Sequence, residues 1–212
     1  IKIYRMCTGV RGLKEYDWER VHDLWRQEGN VNGFIEMSDF DGIKIYDKLK
    51  QMSKKKITLD KVNELIEKGF TNIVLTGHSC GAMVSLHLTG SYSDKVKGSI
   101  AINPACGGTI KYRKEWPAWG VVRDHWANIL AQKSEINSLV FIHNEDQYEN
   151  IQTLSFLTKI NKVQIVDFTD INCEPAFGAN HHDLAVYPKE DNCFAKWEVK
   201  NNYIISYLER LF

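Results

Sequence analysis

Gly77-His78-Ser79-Cys80-Gly81 sets a serine between two glycines in a GxSxG pattern. A hydroxyl is a weak nucleophile, so the pattern carries chemistry only where a base and an orienting carboxylate can reach it. Composition alone would produce GxSxG in about one chain in fifteen of this length, so its setting decides the matter. The apolar run Ile73-Val74-Leu75 precedes it and a helical stretch from Ala82 to Leu88 follows. A strand that turns sharply into a helix presents the serine on a strained elbow, with the helix amino end aimed at the reacting oxygen. Gly77 and Gly81 are small enough to let the backbone pass through that elbow.

In this arrangement the acid and then the histidine follow the serine along the chain. Asp146 stands three residues beyond an expected strand, Ser138 to His143, and is the candidate acid. Glu145 is its nearest rival, and Asp167 and Asp170 are more distant ones. The base is expected after the last strand, where Gly178-Ala179-Asn180-His181-His182-Asp183 offers two adjacent histidines, and position alone leaves both open. A His181, His182 and Asp183 metal cluster is the other use of these residues. No HxxxH or paired Cys/His spacing accompanies it, so no metal is expected. His22, His87, His125 and His143 read as surface or packing histidines, while His78 beside the serine reads as packing or pocket wall. For the oxyanion, the expected donors are the backbone N–H groups of Cys80, after the nucleophile, and Cys7, in the loop ending the first strand.

Strand-like segments are expected at Ile1 to Met6, Thr71 to Thr76, Ser99 to Asn103, Ser138 to His143 and Val163 to Phe168. Helical periodicity appears at Tyr16 to Gln27, Ile43 to Met52, Leu59 to Lys68, Ala82 to Leu88, Val122 to Gln132, Ile151 to Ile160 and Trp197 to Leu211. Lys54-Lys55-Lys56 reads as a solvated link between two of these helices. Apolar strands alternating with amphipathic helices predict one α/β domain over residues 1–212, a mostly parallel sheet with helices on both faces. Ligand sites in such sheets lie at the carboxyl ends of the strands. Residues 107–135, which include Tyr112, Trp116 and Trp119, form a candidate lid or pocket-wall insertion.

Of 212 residues, 43% are hydrophobic and 25% charged, as in ordinary globular chains. Lys and Arg number 27, as do Asp and Glu, giving zero formal charge and no basic stripe for nucleic acid. No run approaches the ~20 apolar residues of a membrane-spanning helix. Five cysteines without a CxxC argue against a zinc ribbon, and Cys173 with Cys193 is a candidate disulfide for an exported chain. That pair, with the start at Ile1, leans the expectation towards a periplasmic or secreted protein.

These residues resemble the α/β-hydrolase superfamily, and its dienelactone-hydrolase-like branch in particular. Arg5-Met6-Cys7-Thr8-Gly9 stands where relatives carry His-Gly-Cys-Thr-Gly, with Arg5-Met6 replacing the customary His-Gly. His143-Asn144-Glu145-Asp146 is similar to the Gly-Glu-Asn-Asp acid loop, and Phe177-Gly178-Ala179-Asn180-His181-His182 to the Phe-Gly-x-Asp-Gly-His segment. That register makes His182 the base and places His181 where a glycine is usual. Dienelactone hydrolases usually use cysteine, whereas this elbow carries Ser79, so their substrate is not implied. The resemblance also implies that the first strands of the full fold would lie ahead of Ile1.

The expected activity is that of a cofactor-free serine hydrolase, carboxylesterase-like, cleaving a small-molecule ester or related acyl compound. Ser79, Asp146 and His182 would carry it, with His78, Tyr112, Trp116 and Trp119 lining the pocket. A ligand-binding protein on the same fold, or a peptidase or acyltransferase with the same triad, is the alternative. Oligomeric state is not legible.

Overall fold

The computed structural model describes residues 2–6, 43–115, 117–171, 181–184 and 192–212. Among these residues five strands form one sheet in chain order: β1 (Lys2–Met6), β2 (Ile73–His78), β3 (Gly98–Ile102), β4 (Glu135–Ile142) and β5 (Asn161–Asp167). Every neighbouring pair is parallel. The helices are α1 (Ile43–Glu67), α2 (Cys80–Ser91), α3 (Ile110–Glu115), α4 (Pro117–Ala131) and α5 (Asn192–Leu211), with 3₁₀ turns at Ser155–Lys159 and His181–Asp183. None of the described helices is long and apolar enough to cross a membrane.

β2, β3 and most of β4 are buried on both faces while β5 is only partly covered, and the alternation along them sorts side chains into two cores. Ile73 and Leu75, Ala101, and Val140 and Ile142 join α1, α2 and α4 residues such as Leu65, Met83 and Leu130 on one face. Val74, Ile100, Leu139 and Phe141 point the other way, against Tyr207 of α5. Right-handed crossovers between sequential parallel strands put the described connecting helices on the same side. The second face is therefore left for α5, which follows the last strand. Tyr207 fixes it there: its hydroxyl accepts from the Ser99 N–H at 3.0 Å and donates to the Asn137 carbonyl at 2.8 Å.

Local chemistry explains where helices depart from the expected pattern. One helix of 25 residues replaces the two expected between Ile43 and Lys68, and the lysine run lies inside it. No Gly or Pro interrupts this segment and lysine is a good helix former, so nothing stops it early. It ends at Gly69 (φ 87°), where the Gly69 N–H reaches the Ile66 carbonyl and the Phe70 N–H reaches that of Leu65. That paired closure needs a left-handed residue, which glycine supplies. The aperiodic stretch before Val122 contains α3 and the start of α4. α3 buries none of its residues, hence its lack of an apolar period, and α4 begins on Pro117, whose fixed φ suits a first helical position. The helix expected at Ile151 to Ile160 is instead a set of turns ending in a 3₁₀ segment. Asn150 and Thr153 there bond each other's backbone N–H at 2.9 Å, a local closure that competes with the regular ladder. The element expected at Tyr16 to Gln27 lies outside the described residues.

Candidate functional site

β2, β3, β4 and β5 end level with one another: His78 pairs with Ile102, Ile102 with Phe141, and Ile142 with Asp167. The chemistry-bearing residues gather at this edge. Ser79 follows β2 directly and has φ 58° and ψ −127°, a conformation costly for any residue with a side chain. Its backbone is held from two directions. The Ser79 N–H donates to the Ile102 carbonyl at 3.1 Å, and the Ser79 carbonyl accepts from Ala82 at 3.0 Å and Ala105 at 3.2 Å. The glycine before it is obligatory, since a Cβ on Gly77 would strike the Gly81 carbonyl and the Ala82 nitrogen. Cys80 opens α2 and is joined to Cys106 by a disulfide, with the two Cα atoms 4.8 Å apart. The bridge ties the residue after Ser79 to the loop after β3. The sequence points to Cys80 for its backbone N–H, and the pairing with Cys106 adds a structural role.

After β4 the chain turns on the Asp146 N–H, which donates to the His143 carbonyl at 3.0 Å. Asp146 is buried, and its Oδ2 lies 2.6 Å from Nδ1 of His182, also buried. The other Asp146 oxygen accepts from the Tyr148 N–H at 2.8 Å. A carboxylate bonded to Nδ1 fixes the imidazole tautomer and turns Nε2 towards whatever stands opposite. His181 takes a different partner, Glu145, with Nε2 to Oε2 3.4 Å, and its ring stacks on His143 at 4.5 Å. The remaining acids are engaged elsewhere. Asp167 accepts from Thr169, and Asp170 pairs with Lys200.

Asn103, at the end of β3, holds the histidine loop. It sits at φ 41°, where asparagine is better tolerated than most residues. Its Nδ2 donates to the His182 carbonyl at 2.8 Å and the His181 carbonyl at 3.3 Å, and its Oδ1 accepts from the His143 N–H at 3.0 Å. One side chain thus links the strand ends that carry acid and histidine. His78 adds a second tie: it is buried, with Nε2 2.8 Å from the His182 carbonyl and its ring 4.7 Å from that of His182. Tyr148 covers the imidazole at 4.3 Å. Sequence reasoning missed Asn103, Tyr148 and Cys106. The signal for Asn103 was Asn-Pro at a strand end, which reads equally as an ordinary stop.

The α3–α4 insertion is anchored beside this loop. Glu149, its side chain fully buried, accepts from Arg113 at 2.6 Å and from Arg123 at 3.1 Å, and Arg113 also donates to the Tyr148 carbonyl at 3.0 Å. Buried charge survives when it is paired and hydrogen-bonded, and removing one partner of such a pair costs about 3–5 kcal/mol. Tyr112 is exposed on α3 and Trp119 is half-buried against Gly108. Cys7, Trp116, His22 and Cys173 lie outside the described residues, as does the Cys193 side chain.

No protein-family model matches this chain, and no curated protein does. Solved structures do. A fungal esterase from Rhizomucor miehei superposes with a TM-score of 0.57 at 14% identity, covering 99% of this chain and 74% of its own. A meta-cleavage product hydrolase from Pseudomonas fluorescens gives 0.55 at 10% identity, covering 99% and 91%. An esterase from Pyrococcus furiosus gives 0.53 at 12%, covering 99% and 81%. The chain has the α/β-hydrolase fold.

Proposed function

We propose that this protein is a serine hydrolase that cleaves a carboxylic ester or related acyl compound through an acyl-enzyme. The observation that carries the reading is a buried, hydrogen-bonded Asp146–His182 pair at the strand ends that also present Ser79 on a strained elbow. Names of similar structures, two esterases and a hydrolase, agree with it.

In this mechanism Ser79 Oγ attacks the acyl carbon while Nε2 of His182 takes its proton. Asp146 holds Nδ1 and stabilises the imidazolium that forms. The oxyanion is bound by the N–H of Cys80, at the amino end of α2, and by that of Cys7. His182 returns the proton to the departing alcohol, then activates water to release the acid. No cofactor enters the cycle. The α3–α4 insertion, pinned through Glu149, serves as a fixed wall carrying Tyr112, Trp116 and Trp119. A fixed wall favours small or medium acyl groups.

The test is intact-mass analysis after a fluorophosphonate probe, with p-nitrophenyl acetate turnover alongside. The native chain should gain one adduct, absent in Ser79→Ala and strongly slowed in His182→Ala, with turnover falling about 10⁴-fold or more. Normal labelling of His182→Ala together with loss in His181→Ala would move the base to His181. A folded native chain that takes no adduct would overturn the proposal in favour of ligand binding. Amide substrates and alcohol acceptors, run on the active chain, separate esterase from peptidase and acyltransferase.

A further inference from the structure

The contacts around His182 leave a second cluster beside it. His143, Glu145 and His181 each offer a ligand atom, and these atoms lie within 4.8 Å of one another. The donor set is two imidazoles and a carboxylate, the class that binds zinc and its d-block neighbours rather than calcium or magnesium. Three protein ligands leave a fourth tetrahedral position for water.

Ordinary packing explains this cluster poorly. Two imidazoles stack nearly parallel, 16° apart, which makes no hydrogen bond between them. The Glu145–His181 contact is long at 3.4 Å, and Glu145 is otherwise exposed. The backbone N–H of Glu145 donates to Nδ1 of His143 at 3.2 Å, a bond that an ion on this nitrogen would replace.

We propose that His143, Glu145 and His181 bind one divalent transition-metal ion of the zinc class, and that the ion ties the acid loop to the histidine loop. The covalent geometry makes the second half follow from the first. Glu145 precedes Asp146 and His181 precedes His182, so an ion shared by Glu145 and His181 pins both chains one residue from the Asp146–His182 hydrogen bond. The ion's role is positional. Binding requires neutral imidazoles, so affinity should fall as the solution is acidified.

Nothing in this inference depends on serine hydrolysis, and the test keeps the two apart. Chelator-treated full-length chain is titrated with Zn²⁺ by calorimetry at neutral pH, and with Co²⁺ for its visible absorption. One equivalent should bind, with a tetrahedral cobalt spectrum and a raised melting temperature. Glu145→Gln, an exposed substitution that leaves the fold alone, and His181→Gln should each weaken Zn²⁺ by more than about tenfold, the loss that a merely supporting residue can cause. Glu64→Gln on α1 should bind normally, and so should Ser79→Ala whether or not the serine labels. Absence of stoichiometric binding, or affinity unchanged in both Glu145→Gln and His181→Gln, overturns the proposal.

Discussion

Cutting the Cys80–Cys106 bridge should be felt both in stability and in catalysis, and the two effects have separate origins. The bridge spans 26 residues of sequence. In the chain-entropy model, closing a loop of that size removes about 3.5 kcal/mol of freedom from the unfolded chain at room temperature. This is an upper figure, because residual structure in the unfolded chain reduces it. For a chain of this length it corresponds to a fall in melting temperature on the order of 10 °C. The catalytic effect comes from position. Cys80 opens α2 and supplies a proposed oxyanion N–H, while Cys106 sits 4% exposed in the loop whose Ala105 N–H holds the Ser79 carbonyl. Without the bridge, that loop and the elbow lose their covalent tie, and a displacement of about 1 Å can cost 100-fold in rate. The experiment compares native chain, with and without reductant, against a Cys80→Ala/Cys106→Ala chain by guanidinium unfolding and ester turnover. The double variant controls for Cys7, Cys173 and Cys193: reductant should lower the native midpoint to that of the variant and leave the variant unmoved. Mass mapping of alkylated peptides establishes that Cys80 and Cys106 were reduced. If they are, and both midpoint and turnover stay at the oxidised values, the reasoning about this bridge is wrong.

Two further perturbations probe the supports of the site. Asn103→Ala removes the bonds to the His181 and His182 carbonyls and to the His143 N–H, and leaves at φ 41° a Cβ-bearing residue without asparagine's tolerance of that conformation. Asn103→Gly removes the same bonds and leaves no Cβ there. Both should lower kcat about 10–100-fold with little change in KM, and the glycine variant should be the more stable by about 1 kcal/mol. Equal kcat in native and both variants would show that the histidine loop holds itself. His87, buried on α2 beside Trp126, has its pKa lowered to about 4 by burial first, then by Lys55, Lys133 and His125. Its folded value lies below the unfolded 6.5, so the unfolded chain takes up protons first as pH falls. Stability from this group is therefore whole above about pH 6.5 and drains away towards pH 4, by about 3 kcal/mol at most. His87→Leu should flatten the guanidinium midpoint against pH in that window, and an unchanged slope would assign the acid sensitivity elsewhere.

The strand–elbow–helix core was legible because one physical demand fixes each part. A strand buried on both faces must be apolar throughout, and a sharp turn against a helix must be glycine-flanked, so Ile73 to Gly81 admits few other readings. The helix boundaries were less legible where tertiary position, not local pattern, decided them. α3 shows no period because it buries nothing, and Lys54 to Lys56 looks like a link only if charge is taken for a break.

The two adjacent histidines mark the limit most clearly. Position puts both on the loop after β5, and the acid loop likewise offers two adjacent carboxylates, so every pairing is open in one dimension. In space they sort cleanly. Residues 181–183 form a 3₁₀ turn, which sends successive side chains about 120° apart, so the two imidazoles cannot share a direction. What fixes the rotation is the grip on the loop's carbonyls by Asn103 and His78, from the ends of β3 and β2. With the His182 carbonyl held inward, its ring lies between His78 and Tyr148 and meets Asp146 at 2.6 Å. His181 is then turned towards His143 and Glu145. A residue 79 positions away thus selects which histidine faces the acid, and no local spacing rule could have carried that choice.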